Sequence, residues 1–170
     1  MTSGGLSLET EAALANGLED FFSKMWEEVE FNMGHDIAKF YSEDGSVSVG
    51  TNMDLCGKQA IERFYAYRRE MGGRVSRHIV GNYRFDFGTF LQNARVRVCA
   101  IVTHYGTSGT PPLPSALPLG IYDSEMIFER QADSSWRIVR YRGEPFFLSA
   151  DNPYWTLPEE MNPAAREKSR

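Results

Sequence analysis

The sequence predicts an α+β fold, in which helices from the first half cover a strongly curved, mainly antiparallel sheet built by the second half. Apolar residues recur at three- and four-residue spacing in the first 70 residues, which is the period of amphipathic helices. After residue 73, apolar and polar residues alternate over long stretches, which is the period of half-buried strands. A chain of 170 residues suits one domain.

Three helical segments precede the long strands. We expect a first helix at 9–32, a short helical piece at 36–41, and a third helix at 58–69 that stops at two glycines. Between the second and third segments, a turn at 43–45 leads into a short strand at 46–50. The apolar positions of the first helix are Leu14, Leu18, Phe21, Phe22, Met25, Trp26 and Val29.

The segment 74–106 predicts a hairpin of two long strands with a tight connection at 87–93. It carries His78 near its start and His104 near its end, and antiparallel pairing brings these two positions side by side. Every second residue before His104 is apolar, from Ala94 through Val96, Val98, Ala100 and Val102. His104 therefore faces the apolar side of the sheet.

His78 faces the same side only if the first strand of the hairpin contains a bulge. The inward aromatic residues Tyr83, Phe85 and Phe87 leave His78 on the opposite parity. A β-bulge near Gly81 and Asn82 shifts the phase by one residue and turns His78 inward. We predict that bulge, and an unbulged strand would place His78 outside.

Two further strands, at 121–130 and 136–141, complete the sheet. The proline-rich connection 106–120 is long for a compact domain, and we interpret it as a rim, lid or interface, with a mobile hairpin tip as the alternative. The predicted domain covers 9–148, between a flexible N-terminus at 1–8 and a C-terminal arm and tail at 149–170.

Charge and composition narrow the class of protein. The net charge is −5 without a Lys/Arg stripe, which argues against nucleic acid and anionic membranes as partners. The N-terminus lacks a basic region followed by an apolar run, so we expect no signal peptide and no membrane span. We interpret Cys56 and Cys99 as free thiols of a cytoplasmic protein.

Aromatic residues make up 13 % of the chain, which suits a pocket for a small hydrophobic or aromatic ligand.

Four segments carry a family resemblance: YSEDGSV at 41–47, GKQAIERF at 57–64, RHIVGN at 77–82 and WRI at 136–138. In their order and spacing they resemble the NTF2-like superfamily, in particular its SnoaL-like and scytalone-dehydratase-like branch, over residues 10–148. The resemblance implies a cone-shaped fold, with three N-terminal helices on a curved sheet around a deep pocket. Members include dehydratases, cyclases and isomerases, and also binding domains without catalytic activity.

The resemblance also implies site residues. In the dehydratase branch, a histidine of an Arg-His-x-x-x-Asn motif pairs with a carboxylate of the first helix, and a second histidine lies on the next strand. The corresponding positions are His78, Glu30 and His104. Glutamate stands where the pattern has aspartate, and Val29 precedes it where the pattern has tyrosine. Asp36 and Asp44 are alternative partners for His78.

We therefore expect cofactor-independent elimination, isomerisation or cyclisation. His78 acts as general base, Glu30 orients it, and His104 or a tyrosine polarises the substrate oxygen. The sequence contains no HExxH, CxxC or phosphate-binding glycine loop, so we expect no metal and no cofactor. The expected substrate-binding residues are Trp26, Tyr83, Phe85, Tyr122 and Asn82.

The competing hypothesis is a non-catalytic module that binds a ligand or assembles with a partner, such as the β-subunit of a ring-hydroxylating oxygenase. Arg95 and Arg97 on the outer sheet face, together with Tyr154 and Trp155 in the C-terminal arm, would suit a subunit contact. In either case we expect a homodimer or homotrimer.

Overall fold

The structure is a computed structural model that describes residues 6–51, 53–72 and 74–150. The C-terminal arm with Tyr154 and Trp155 lies outside the described residues, and so does most of the predicted N-terminal segment. The elements in chain order are α1 (Leu8–Phe31), a 3₁₀ turn (Ile37–Phe40), β1 (Tyr41–Val49), β2 (Met53–Cys56), α2 (Lys58–Glu70), β3 (Arg74–Asp86), α3 (Phe90–Asn93), β4 (Arg95–Ser108), β5 (Gly120–Arg130) and β6 (Trp136–Leu148).

The six strands form one open, mixed sheet in the order β2-β1-β6-β5-β4-β3. Four of the five neighbouring pairs are antiparallel, and β1 pairs with β6 in parallel. Helix α1 contacts β3, and α2 contacts β1 and β2. The α+β architecture with three helical segments ahead of the long strands is confirmed.

The core lies between α1 and the concave face of the sheet. The predicted apolar stripe of α1 is buried at Leu14, Leu18, Phe22, Met25 and Val29. The inward residues of β4 face it, and Val96, Val98, Ala100 and Val102 are all buried. His104 continues this row and is 6 % exposed, so its inward orientation is confirmed.

A bulge interrupts the pairing of β3 with β4 between Gly81 and Arg84. Asn82 adopts a φ of +56° there, in the left-handed region that asparagine tolerates better than most residues. Before the bulge, His78 pairs directly with His104, and after it Tyr83 and Phe85 pack against the core. The predicted phase shift is confirmed, with Asn82 rather than Gly81 in the unusual backbone conformation.

The predicted segments differ from the structure in four details. Residues 43–45 form no turn but lie within β1, whose pairing with β6 is irregular between Tyr41 and Ser46. Strand β2 was not predicted, because four residues are too few to show a period. The last strand ends at Leu148 rather than at 141. The connection of the predicted hairpin also contains the single helical turn α3.

Gly34 packs closely against the aromatic ring of Tyr65 in α2. Its φ is +69°, and a Cβ on it would overlap with Cδ1 of Tyr65. We expect Gly34→Ala to lower the free energy of unfolding by at least about 2 kcal/mol, because left-handed backbone and the clash both disfavour alanine. Urea unfolding measures the change. Gly81→Ala is the control, since a Cβ there meets nothing within 4 Å, and equal losses in both variants would contradict the prediction.

Candidate active site

A cavity of about 120 Å³ opens between the concave sheet face and the helices. Most of its lining is apolar or aromatic, including Met25, Val47, Leu55, Phe64, Val102 and Leu148. Four tyrosines add hydroxyl groups, namely Tyr41, Tyr65, Tyr122 and Tyr141. The other polar lining side chains are those of Trp26, Arg68, His78 and His104. A largely apolar cavity with a few converging polar groups is the usual form of a small-molecule site.

Glu30 at the C-terminal end of α1 binds His78 on β3. Oε1 of Glu30 lies 3.2 Å from Nδ1 of His78, and the backbone N–H of His78 donates to the same oxygen. The side chain of Glu30 is 9 % exposed and that of His78 is 6 % exposed, so water competes little with the hydrogen bond between them. The bulge at Asn82 makes the contact possible, because it turns this part of β3 toward α1.

The imidazole of His78 is also held by stacking. The ring centroid of Trp26 lies 3.8 Å from that of His78 with an interplanar angle of 19°. The ring of His104, which pairs with His78 across β3 and β4, also stacks on it, with the ring centroids 4.5 Å apart and an interplanar angle of 3°. Because both the ring edge and the stacking surfaces are occupied, His78 has little rotamer freedom. A side chain locked in this way keeps a reacting atom in place.

Burial controls the charge of the pair. Burial first, and then the positive charge of Arg68, lower the pKa of His78 to about 3. Its ring is therefore neutral near neutral pH. Burial raises the pKa of Glu30, while the backbone N–H of His78 and the guanidinium of Arg77 act in the opposite direction. Nη1 of Arg77 lies 3.8 Å from Oε2 of Glu30.

The structure brings together five of the predicted site residues. The cavity is lined by His78, His104, Trp26 and Tyr122. Glu30 binds the imidazole of His78 at Nδ1. The alternative carboxylates do not take this place, since Asp36 is an exposed partner of Lys39 and Asp44 is exposed on β1.

The other three predicted residues do not line this cavity. Tyr83 and Phe85 stack on each other with ring centroids 5.9 Å apart, and Phe85 continues onto Phe87. This aromatic row packs against the core. Asn82 is exposed at the bulge. Their place along β3 after the bulge explains the difference, because the cavity lies beside the part of β3 before it.

Sequence reasoning missed the role of Arg68 and of the tyrosines at 41, 65 and 141. Arg68 lies on the apolar side of α2 with Phe64 and Tyr65, and a charged residue on an apolar helix face was the available signal. Tyr141 bonds Ser124 inside the core, with their hydroxyl oxygens 3.1 Å apart.

No group of three or more His, Cys, Asp or Glu side chains that could hold a metal ion occurs among the described residues. Within the same residues, no helix is long and apolar enough to cross a membrane.

Comparison with known proteins relates the chain to solved structures only. No protein-family model matches the sequence, and no curated protein matches it. A protein from Catenulispora acidiphila, solved in complex with S-DNPA, is similar with a TM-score of 0.68 and 15 % identity, over 79 % of this chain and 94 % of the other. A putative scytalone dehydratase from Novosphingobium aromaticivorans is similar with a TM-score of 0.66 and 16 % identity, over 89 % of this chain and 100 % of the other.

A third similar structure carries the name of the fold. This NTF2-like protein of unknown function from Pseudomonas putida has a TM-score of 0.63 and 11 % identity, over 86 % of this chain and 93 % of the other. Identities this low relate architecture and not activity. With its helices packed on an open, curved sheet around a cavity, the chain has the NTF2-like fold.

Proposed function

We propose that this protein is a cofactor-independent enzyme that removes a proton next to a carbonyl or leaving group in a small hydrophobic substrate. Elimination, isomerisation and cyclisation all begin with this step. The observation that carries the proposal is the hydrogen bond between Glu30 and His78 at 3.2 Å, with His78 lining an apolar cavity. A histidine oriented by a carboxylate is a competent general base.

The donor and acceptor roles follow from the chemistry of the pair. An ionised carboxylate only accepts hydrogen bonds, so Nδ1 of His78 carries the proton and donates to Glu30. The lone pair is then on Nε2, the ring nitrogen that remains for a ligand in the cavity. His104 or Tyr122, both in the lining, polarises the substrate oxygen as the enolate forms.

The lowered pKa of His78 has two opposite consequences for this role. It keeps the base unprotonated throughout the neutral range, but it also makes the imidazolium that forms during the reaction unfavourable. The carboxylate of Glu30 stabilises that imidazolium, because opposite charges attract strongly where water is excluded. The pair therefore suits C–H bonds that a neighbouring carbonyl has already made acidic.

Two observations concern the reaction class and the non-catalytic alternative. The putative scytalone dehydratase from N. aromaticivorans has the same fold, but at 16 % identity this likeness concerns architecture and does not select among the three reactions. Arg95 and Arg97, which would suit a subunit contact in either case, bind Glu129 and Glu125 of the same sheet at 2.7 and 2.6 Å, so they do not separate the enzyme from the non-catalytic alternative. The expected homodimer or homotrimer remains a prediction.

Deuterium exchange tests the proposal without knowledge of the natural substrate. We expect the protein in D₂O to accelerate exchange of the α-protons of cavity-sized cyclic ketones, such as 2-cyclohexenone and 3-oxocyclohexanecarboxylate, as followed by proton NMR. Base catalysis of this kind contributes on the order of 10²–10⁴ in rate. A rate equal to that of free imidazole at the same concentration, for every ketone in the set, would refute the proposal.

A further inference from the structure

Building on the proposed function, we infer the substrate class: a ring-sized carboxylic acid with a second oxygen atom, whose carboxylate binds Arg68 and whose other oxygen accepts a hydrogen bond from Trp26. Both residues line the cavity that holds His78. Neither the fold nor the acid–base pair requires an anionic substrate, so this inference can fail while the proposed function stands.

The charges of the described cavity lining favour an anion. Among the residues that the structure describes, the lining contains the guanidinium of Arg68 and neither aspartate nor glutamate. Burial raises the pKa of Tyr41 and of Tyr141, so these phenols stay neutral and do not offset the positive charge. Glu30, behind His78, is itself next to Arg77. Arg68 therefore contributes a positive charge to the described part of the lining, and a guanidinium attracts carboxylates.

Arg68 is held close to His78. It lies in the last turn of α2, and its Nη2 donates to Oγ of Ser76 at 2.8 Å. Ser76 is 2 % exposed and precedes His78 by two residues on the same face of β3, so the two side chains lie about one strand repeat apart. The planar guanidinium offers parallel N–H donors that match the two oxygens of a carboxylate.

Trp26 provides an independent indication of a ligand oxygen. Its Nε1 is buried and has no hydrogen-bond partner among the described residues. Buried N–H groups are nearly always paired in native proteins, so an acceptor from the ligand accounts for this one. Because the indole stacks on the imidazole of His78, an oxygen bound to Nε1 lies beside the proposed base. A ketone oxygen there would accept a hydrogen bond from Trp26 in addition to the one proposed from His104 or Tyr122 as the enolate charge develops.

The size of the cavity limits the ring system. Its volume is about 120 Å³, and a cavity of about 150 Å³ is known to bind benzene. The enclosed volume therefore holds about one six-membered ring, whose substituents have to extend toward the cavity opening, whereas a fused polycyclic ligand exceeds it. Small cyclic oxo acids combine the size, the anionic group and the second oxygen.

Matched acid and amide probes test the inference. We expect the protein to bind benzoate and 3-oxocyclohexanecarboxylate at least about tenfold more tightly than benzamide and 3-oxocyclohexanecarboxamide, by isothermal titration calorimetry at low salt. Arg68→Gln should abolish this preference, and Arg68→Lys should keep part of it because the charge remains. Arg69→Gln is the matched control, since Arg69 lies on the same helix but bonds the carbonyl of Met33 outside the cavity lining.

Each outcome bears on the inference. Equal affinity for acids and amides, or no binding of either, overturns it, and so does an acid preference that survives in Arg68→Gln. The comparison in the unsubstituted protein decides the matter even if Arg68→Gln does not fold. Deuterium exchange separates the two proposals: exchange of the amide as fast as the acid removes only the anionic substrate, whereas Arg68-dependent acid binding without exchange removes only the enzyme.

Discussion

Replacing His78 with glutamine should lower the rate of proton abstraction by about 10²–10⁴. Glutamine is of similar length and can remain between α1 and β4, but its amide cannot take up a proton. The measurement is the α-deuterium exchange of 3-oxocyclohexanecarboxylate, with binding of the same ligand measured in parallel. Because Arg68 and Trp26 are unchanged, we expect the dissociation constant to stay within a few-fold of that of the unsubstituted protein.

Substitutions on α1 show whether the carboxylate acts through the histidine. Glu30→Gln removes the charge that stabilises the imidazolium, and an amide facing Nδ1 no longer fixes the tautomer, so the exchange rate should also fall. Glu27→Gln is the matched control, because Glu27 is exposed on the same helix. If Glu27→Gln slows exchange as much as Glu30→Gln, or if His78→Gln leaves it unchanged, the assigned base is wrong.

The sequence predicts which side chains of the strands face inward, and it therefore predicts the orientation of two site residues, His78 and His104. Alternation along β4 gave the orientation of His104, and the conflict of parity in β3 located the bulge that turns His78 inward. The alternation of apolar and polar residues shows which face of the sheet a side chain lies on, but not which residues of other elements pack against it. For that reason periodicity predicts Tyr83 and Phe85 in the cavity. In the structure they belong to an aromatic row that packs against the core.

Contacts between distant segments account for what the sequence did not reveal. The stacking of Trp26 on His78 depends on where α1 crosses β3, and no local pattern sets that crossing. The bond from Arg68 to Ser76 depends in the same way on how α2 meets β3. The predicted turn at 43–45 falls in the part of β1 where pairing with β6 is interrupted, between Tyr41 and Ser46, and such an irregular stretch of strand has no local pattern that distinguishes it from a turn.

The free energy of unfolding should depend on pH through His78. Its pKa is lowered from 6.5 to about 3 in the folded protein, so below pH 6.5 the unfolded chain binds a proton at this residue that the folded chain does not. Stability is then fully present above about pH 6.5 and is lost as the pH falls toward 3, by up to about 1.4 kcal/mol per pH unit.

Glu30 acts in the opposite direction. Its pKa is raised in the folded protein, so its contribution is present at low pH and is lost as the pH rises through the folded pKa. Glu125 and Asp133 have lowered pKa values, and their losses occur only below their ordinary pKa values near 4. The window from about pH 6.5 to 5 therefore isolates His78 best from the carboxylates.

Urea unfolding at several pH values in this window measures the effect. We expect the unsubstituted protein to lose stability between about pH 6.5 and 5 with a slope that approaches 1.4 kcal/mol per pH unit, and His78→Gln to have a slope smaller by the contribution of one proton. Glu30→Gln should steepen the loss at the acid end of the window, because the opposing carboxylate is gone. Equal slopes in the unsubstituted protein and in His78→Gln would show that His78 titrates normally in the folded state. The imidazole would then be solvated rather than buried between Trp26, His104 and Glu30, and the geometry on which the proposed base depends would not exist in solution.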